Sequence, residues 1–174
     1  MNFRTALPDD QRRIKQLYAE VARVSGGLAR AEGEITDAYV SEFLEKSLAD
    51  GLIIVAEHPE NENTLVGEMH AYRKGIRVFD HVFTDLTIVV HPSFQGKKIG
   101  RTLFTIFQEE IALHRPDIGR VELLTRESNE KAIRFYQSLG FRVEGRMEMR
   151  VRTPDNRYEA DIPMSWQNPN FEFD

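Results

Sequence analysis

Residues 87–104 read TIVVHPSFQGKKIGRTLF, and this stretch decides the fold. It begins as a β-branched run typical of a strand and ends with Leu103 and Phe104 at helical spacing. Two glycines and three cations link the strand to the helix. Backbone N–H groups in the first turn of a helix have no internal acceptor, and the helix dipole makes that end positive. The stretch therefore predicts a strand, an anion-binding loop and a helix in succession.

Hydrophobic periodicity on either side of this stretch predicts further strands and helices. Extended runs predict about seven strands, at residues 3–6, 52–56, 65–73, 78–91, 121–125, 141–152 and 158–166. Apolar stripes predict three helices, with buried faces at Ile14, Leu17, Tyr18 and Val21; at Val40, Phe43, Leu44 and Leu48; and at Leu103, Phe104, Phe107 and Ile111. The pattern indicates an α/β (α+β) fold, a mixed sheet with helices on both faces.

Composition indicates one slightly acidic domain. The 174 residues include 23 Lys and Arg against 28 Asp and Glu, a formal net charge of −5. This balance argues against nucleic-acid binding, which needs a basic surface. The absence of cysteine excludes disulfides, thiolate nucleophiles and cysteine zinc sites, and the histidine spacing suits no metal site. No apolar run reaches the ~18 residues of a membrane span and the N-terminus is charged, so we expect a cytoplasmic protein.

A second motif, SNEKAIRFYQSLGF at residues 128–141, predicts a fourth helix. Asn129 suits the N-cap, and Gly140 stands where a left-handed C-cap is expected. Tyr136 lies among apolar residues of this helix. Taken alone, it is equally explained as a core tyrosine or as a functional group.

Together, the two motifs resemble those of the Gcn5-related N-acetyltransferase (GNAT) family. The order of elements fits that family over residues 2–166, with 167–174 as the tail of a single domain at 1–174. The resemblance implies a GNAT-like, mostly antiparallel sheet and transfer of an acetyl group from acetyl-CoA directly to a primary amine of a small molecule or peptide. It implies no metal and no enzyme nucleophile, which agrees with the absence of cysteine.

The resemblance also implies which residues bind the cofactor. They are Ile88, Val89, Val90, Gln95, Gly96, Lys97, Lys98, Ile99, Gly100, Arg101 and Asn129. The loop amides would hold the pyrophosphate, and the strand residues would bind the pantetheine arm as an added strand. The main-chain N–H near Val89 or Val90 would polarise the thioester carbonyl. Tyr136 matches the tyrosine that protonates the departing thiolate.

Lys98 departs from the family pattern, in which this loop position is a glycine. If the position requires a positive φ, a lysine there costs about 1 kcal/mol or more. If a helical φ suffices, Lys98 adds a charge near the phosphates. In both cases we expect weakened or slightly remodelled cofactor binding rather than its loss.

The general base and the acceptor site have weaker signals. Asp85 shares a strand with Val89 and, by period two, a face, which makes it the candidate base. Its alternative role is that of an ion-paired acid at a solvated strand end. His81, at the start of that strand, is a weaker candidate. Acceptor contacts are expected from the loop between the first two helices, where Gly26–Gly27 would give mobility, and the candidates are Arg30, Glu32 and Glu34.

Two alternatives to an enzyme remain at this point. One is a non-catalytic module of the same fold that binds or senses acyl-CoA, which the lysine at position 98 and the weakly defined base favour. The other is a structural α/β domain without a CoA site. The sequence is compatible with a monomer or a homodimer.

Overall fold

A computed structural model of the protein describes residues 1–24 and 28–172, and this part of the chain forms eight strands and four α-helices. The strands are β1 (Phe3–Thr5), β2 (Gly51–His58), β3 (Asn61–Tyr72), β4 (Val82–Val90), β5 (Arg120–Arg126), β6 (Arg142–Val143), β7 (Met147–Arg152) and β8 (Tyr158–Gln167). The helices are α1 (Gln11–Ala22), α2 (Asp37–Asp50), α3 (Ile99–His114) and α4 (Glu130–Gln137). Gly26–Gly27 lies outside the described residues, so its expected mobility stays a prediction.

The strands form one mixed sheet in the order β1-β2-β3-β4-β5-β8-β6, and β7 also pairs with β8. Neighbouring strands are antiparallel except β4 and β5, which are parallel. The predicted α/β fold is confirmed, with eight strands in the described chain instead of about seven. The extra strand arises because residues 144–146 interrupt the predicted strand at 141–152, and both halves still pair with β8.

Helices cover both faces of the sheet, as predicted. Helices α1 and α2 pack on one face, which we call the α1–α2 face, and α3 and α4 pack on the other, the α3–α4 face. The predicted helical stripes are buried except at Leu48, which is 39% exposed, whereas Ser47 is 2% exposed. Helix α2 therefore turns Ser47 toward the sheet at this position.

Helix α3 lies very close to the sheet at Gly67. A Cβ added to Gly67 would lie 3.0 Å from Leu103 Cδ1 and 3.1 Å from Ile99 Cγ2. Gly67 is also the partner of Val90, the last residue of β4. The first turn of α3 is therefore held against the end of β4, and this contact positions the loop that joins them.

Candidate active site

Strands β4 and β5 diverge and leave a cleft in the middle of the sheet. They pair only at their first residues, Val82 with Arg120 and Phe83 with Val121. From Thr84 onward, the edge of β4 that faces β5 has no strand partner in the described chain. A sheet edge with free N–H and C=O groups binds an extended ligand as a further strand would. We call this opening the β4–β5 cleft.

A β-bulge at Asp85 lies where the two strands diverge. Between its partners of His70 and Tyr72, β4 contains one residue more than β3 does. Asp85 lies in this interval and has a left-handed φ of 54°. As a result Phe83 packs on the α3–α4 face but Val89 on the α1–α2 face. The bulge therefore reverses the alternation of side chains between Phe83 and Val89, but the period-two relation predicted for Asp85 and Val89 is kept.

The Asp85 carboxylate nevertheless lies on the same face as Val89. Burial, followed by the negative charge of Asp85, raises the pKa of Tyr72, which packs on the α1–α2 face. The charge of Asp85 also interacts with that of Lys46 of α2. Lys46 Nζ lies 5.4 Å from the centre of the Tyr72 ring. Asp85 is exposed and forms no ion pair among the described residues. An exposed carboxylate without an ion pair therefore lies on the α1–α2 face, near Tyr72 of β3 and Lys46 of α2, at the point where β4 and β5 diverge.

Every second residue at the end of β4 directs its backbone N–H group into the cleft. The His91 N–H donates to the Val66 carbonyl of β3 at 2.9 Å, and successive N–H groups of a strand point in opposite directions. The Val89 N–H therefore also points to β3, whereas those of Ile88 and Val90 point into the β4–β5 cleft. Thus two of the three strand residues that were predicted to bind the cofactor direct their backbone N–H groups into the cleft.

The loop before α3 presents a row of free N–H groups. Within the described chain, none of the backbone N–H groups of residues 96–101 donates a hydrogen bond. The first helical bond runs from the Thr102 N–H to the Lys98 carbonyl at 3.0 Å. The Gln95 side chain donates to the Val90 carbonyl at 3.3 Å and ties the loop to β4. The anion-binding loop predicted from residues 96–101 thus has its donors unused.

Lys98 is the N-cap of α3, with φ 65° and ψ 6°. The position therefore does require a positive φ, the first of the two alternatives posed by the sequence. For a residue with a Cβ this conformation costs about 1–2 kcal/mol, which glycine avoids.

The cations of the loop are not neutralised. Lys97 Nζ lies 4.4 Å from the centre of the Phe94 ring, and the Arg101 guanidinium lies 5.6 Å from that of Phe135. Neither these two residues nor Lys98 forms an ion pair in the part of the chain that is described. An acidic protein thus has a local positive field beside its free loop amides.

Gly100 is the point where the loop, β4 and α4 meet. A Cβ added to it would lie 3.7 Å from both Ile88 Cδ1 and Val90 Cγ2, and 3.8 Å from Phe135 Cζ. The structure therefore brings together the predicted cofactor strand, the predicted loop and the helix that carries Tyr136.

Tyr136 combines a packed ring with a free hydroxyl. Its ring centre lies 5.6 Å from that of Phe104 and 6.0 Å from that of Phe141. The hydroxyl makes no hydrogen bond to any described residue. Burial raises the pKa of Tyr136 to about 12, so the group keeps its proton at neutral pH.

Asn129 caps α4, as predicted. Its Oδ1 accepts a hydrogen bond from the Ala132 N–H at 3.2 Å, which leaves the side-chain amide nitrogen free in the described structure. At the other end of the helix, Gly140 has the expected left-handed backbone, with φ 89°. The cofactor contact of Asn129 stays a prediction.

The motifs do not indicate a buried polar cluster on the α1–α2 face. The Tyr18 hydroxyl donates to one Glu68 oxygen at 2.5 Å, and the other oxygen lies 2.9 Å from His70 Nδ1. All three residues are at most 2% exposed, and Phe43 stacks on His70 with 4.2 Å between the ring centres. Burial and then the charge of Glu68 raise the pKa of Tyr18 well above its usual value. The sequence signal that could have revealed this cluster is the presence of Glu68, His70 and Tyr72 at every second position of a mostly apolar strand.

Of the three expected acceptor contacts, only Glu32 forms an ion pair in the described chain. Glu32 forms an ion pair with Arg23 at 2.7 Å, and Glu34 accepts an N–H of its own turn at 2.7 Å. The Arg30 guanidinium lies 4.1 Å from the centre of the Tyr39 ring. Both glutamates are thus engaged locally.

Two further kinds of feature are absent from the described residues. None of their helices combines the length and apolar character needed to cross a bilayer. Nor do three or more His, Cys, Asp or Glu side chains of these residues group as metal ligands would.

The chain matches the family described as "Acetyltransferase (GNAT) domain" over residues 49–143, more than half of its length. This span contains the β4–β5 cleft, the loop and α4. The protein therefore belongs to the GNAT acetyltransferase family. A comparison with curated proteins gives no match.

Solved structures of bacterial acetyltransferases have the same fold. The GNAT superfamily phosphinothricin acetyltransferase from Sinorhizobium meliloti, in complex with AcCoA, has a TM-score of 0.81 and 18% identity, covering 98% of this chain and 89% of that one. The yncA protein from Salmonella typhimurium, with its cofactor acetyl-CoA, has a TM-score of 0.79 and 20% identity, covering 99% and 96%. The ribosomal-protein-alanine N-acetyltransferase from Brucella melitensis has a TM-score of 0.79 and 21% identity, covering 96% and 99%.

Proposed function

We propose that the protein is an acetyl-CoA-dependent N-acetyltransferase that acts on a primary amine of a small molecule or peptide. The observation that carries this proposal is the row of six free backbone N–H groups at residues 96–101 beside the open edge of β4. The loop offers donors to a pyrophosphate, and the edge offers hydrogen bonds to an amide-containing chain. Acetyl-CoA contains both groups, and two solved structures of the same fold contain acetyl-CoA.

The donor site would divide the cofactor between loop and strand. The loop amides and the three unpaired cations would bind the pyrophosphate, because a helix N-terminus with added positive charge favours an anion. The main chain of Ile88 and Val90 would bind the pantetheine amides, and the free amide nitrogen of Asn129 is available for a further contact. Bound acetyl-CoA supplies an acetyl group activated as a thioester.

A cleft-facing N–H would stabilise the negative charge that develops on the thioester oxygen. We assign this role to Ile88 or Val90, since the Val89 N–H points to β3. A donor fixed in a strand needs no reorganisation during the reaction, which makes such stabilisation effective.

Tyr136 would donate its proton to the departing sulfur. Its pKa of about 12 keeps the hydroxyl protonated at neutral pH, and no described residue competes for it. The proximity of Phe135, Ile88 and Val90 to Gly100 supports this role, because it brings the helix of Tyr136 close to β4.

Asp85 would accept a proton from the acceptor amine, which must be uncharged to attack. The carboxylate is exposed, has no ion-pair partner among the described residues and lies on the α1–α2 face, at the point where β4 and β5 diverge. His81 is less suited, because it lies at the closed end of the cleft. There its backbone carbonyl accepts hydrogen bonds from the N–H groups of Gly119 and Arg120. In the complete reaction an N–C bond forms and the C–S bond breaks. Asp85 then releases the proton of the amine to solvent, and Tyr136 regains from solvent the proton that it donated to the sulfur.

The proposal is tested by following free thiol release from acetyl-CoA over a panel of amines. We expect turnover with at least one amine, and Tyr136→Phe should lower kcat by about 10²–10⁴-fold while acetyl-CoA affinity is retained. Tyr158→Phe, which changes a tyrosine that is 57% exposed on β8, is the matched control and should be silent.

The strained Lys98 favours one alternative, a module of the same fold that binds or senses acyl-CoA without turnover. Tight binding of acetyl-CoA with no thiol release for any amine, and no effect of Tyr136→Phe, would establish the sensor in place of the enzyme. Absence of binding by calorimetry would defeat both.

A further inference from the structure

Two arginines lie on the α1–α2 side of the β4–β5 cleft, and the charge of one of them, Arg30, acts on the carboxylate of Glu42. Arg126 is the last residue of β5, and Arg30 lies in the segment before α2. In the described part of the chain, neither guanidinium forms an ion pair. The proposed donor site, which occupies the loop and the edge of β4, leaves both of them unused.

Strand register places Arg126 across the cleft from Val89. Phe83 and Val121 are the last paired residues of β4 and β5. Counted from this pair, Val89 and Arg126 lie the same number of residues along their strands when the extra bulge residue of β4 is left out. Val121 and Leu123 pack on the α3–α4 face, so by alternation Arg126 points to the α1–α2 face. Val89 packs on that face as well.

Arg126 has most of its hydrogen-bonding capacity free. Its Nη2 donates to the Leu28 carbonyl at 3.1 Å, which is the one bond it makes to the described residues. A guanidinium has five N–H donors in a planar fork that fits a carboxylate with two parallel bonds. The residue is half-buried, and none of its nitrogens that lack a partner is sealed from solvent. Such a group is suited to receive an anion from the cleft.

Arg30 lies in the same segment that Arg126 holds, two residues after Leu28. Its guanidinium is stacked on Tyr39 at 4.1 Å, and the Tyr39 ring also contacts that of Phe43 at 5.2 Å. A cation stacked on an aromatic ring keeps its charge, and Arg30 also hydrogen-bonds the Tyr39 side chain. The segment therefore adds a second positive group near the first.

Asp85 lies on β4, within reach of the charge of Lys46 of α2, whereas Arg126 lies on the opposite strand β5 and Arg30 in the segment before α2. On the basis of the proposed acetyltransferase function, we infer that the acceptor is an amino acid-type molecule. Its carboxylate would bind Arg126, with Arg30 assisting, and its amine would face Asp85. A polyamine, which has no anionic group, would leave both arginines unpaired.

The test compares acceptors that differ only in the carboxylate. Free amino acids, the same compounds as carboxamides, and a linear diamine are assayed by thiol release at saturating acetyl-CoA. We expect the acids to be preferred, and Arg126→Gln to raise their KM by about 10- to 100-fold without changing the carboxamide kinetics. Arg126→Lys, which keeps the charge but loses the fork, should give an intermediate KM. Arg12→Gln, at an exposed residue of α1 outside the cleft, is the matched control.

Calorimetry on the CoA-bound protein gives a second measurement that does not depend on turnover. The preferred acid should bind the native protein and the Arg12→Gln variant but not Arg126→Gln, and all three should bind CoA equally, which shows that they are folded. If Arg126→Gln does not fold, Arg126→Lys decides.

Equal or better transfer to carboxamides or to the diamine, or an Arg126→Gln variant that behaves like the control, would overturn the inference and leave the acetyltransferase standing. The absence of thiol release with every amine would instead remove the proposed function, and this inference with it.

Discussion

Lys98 places a favourable charge on an unfavourable backbone. Its φ of 65° is one that a residue with a Cβ adopts at a cost of about 1–2 kcal/mol. The same residue contributes one of the unpaired cations beside the proposed pyrophosphate site. Strain and charge therefore oppose each other, and a substitution to glycine separates them.

We expect Lys98→Gly to raise the free energy of unfolding by about 1 kcal/mol, because glycine adopts this backbone without strain. The melting temperature of the ligand-free protein should rise by about 2–4 °C. Acetyl-CoA affinity, measured by calorimetry, should fall because a cation is lost.

The control for this substitution is Lys97→Gly, which removes the neighbouring charge at a position without a positive φ. It should weaken acetyl-CoA binding without stabilising the protein. A Lys98→Gly variant that melts below the native protein would show that the left-handed conformation is not strained.

The contact between α3 and the sheet at Gly67 determines where the loop lies. We expect Gly67→Ala to destabilise the protein by about 1–3 kcal/mol, because the added Cβ would lie 3.0 Å from Leu103 and 3.1 Å from Ile99, both buried. Displacement of α3 should also weaken acetyl-CoA binding. Urea unfolding and calorimetry measure the two effects.

Gly33→Ala is the control for this prediction, because a Cβ there meets no atom within 4 Å. It should change neither stability nor acetyl-CoA affinity. If Gly67→Ala matched Gly33→Ala in both measurements, α3 would not depend on close packing at this point.

Helices and strands could be predicted because their signals are local. The stripe from Ile14 to Val21 and the caps at Asn129 and Gly140 depend on residues within a few positions of one another. The bulge at Asp85 was not predictable in this way, since it is defined by how β4 pairs with β3, which lies at least twelve residues away in the chain. The same limit explains why the sequence does not reveal the reversal of side-chain alternation along β4.

In the candidate site, too, local features could be predicted from the sequence and contacts between distant elements could not. Sequence indicated the loop at residues 96–101 and the helix of Tyr136, because each is a contiguous motif. It could not decide the φ of Lys98, since a residue type restricts the backbone without fixing it. The Tyr18–Glu68–His70 cluster and the position of Arg126 depend on contacts between distant elements, for which one sequence contains no direct signal.

Asp10 connects several elements of the molecule through one buried carboxylate. It is 0% exposed, accepts hydrogen bonds from Arg4 of β1 at 2.7 and 3.0 Å and from the Leu7 N–H at 2.7 Å, and pairs with Arg13 of α1. Arg4 also donates to Glu57 of β2 at 2.6 Å. The first strand, the first helix and the strand beside them thus share one ionic network.

This network should make stability depend on acid pH. Burial alone would raise the pKa of Asp10, but hydrogen bonds from Arg4 and the Leu7 N–H and the charges of Arg4 and Arg13 outweigh it, so the pKa lies below its usual value of 3.8. A carboxylate with a lowered folded-state pKa stabilises the protein above its unfolded pKa and loses this effect as the pH falls through the folded value. The contribution of Asp10 should therefore be complete at neutral pH and begin to disappear below about pH 4.

We expect Asp10→Asn to lower the free energy of unfolding by about 1.5–3 kcal/mol at pH 7, because it removes the charged acceptor of several hydrogen bonds. Urea unfolding at pH 7 and at acidic pH should show this difference shrinking as native Asp10 is protonated. Asp9→Asn, at the exposed neighbouring residue, should leave stability unchanged at both pH values. A difference between Asp10→Asn and the native protein that stays constant as the pH falls would assign the stabilisation to the shape of the side chain and not to its charge.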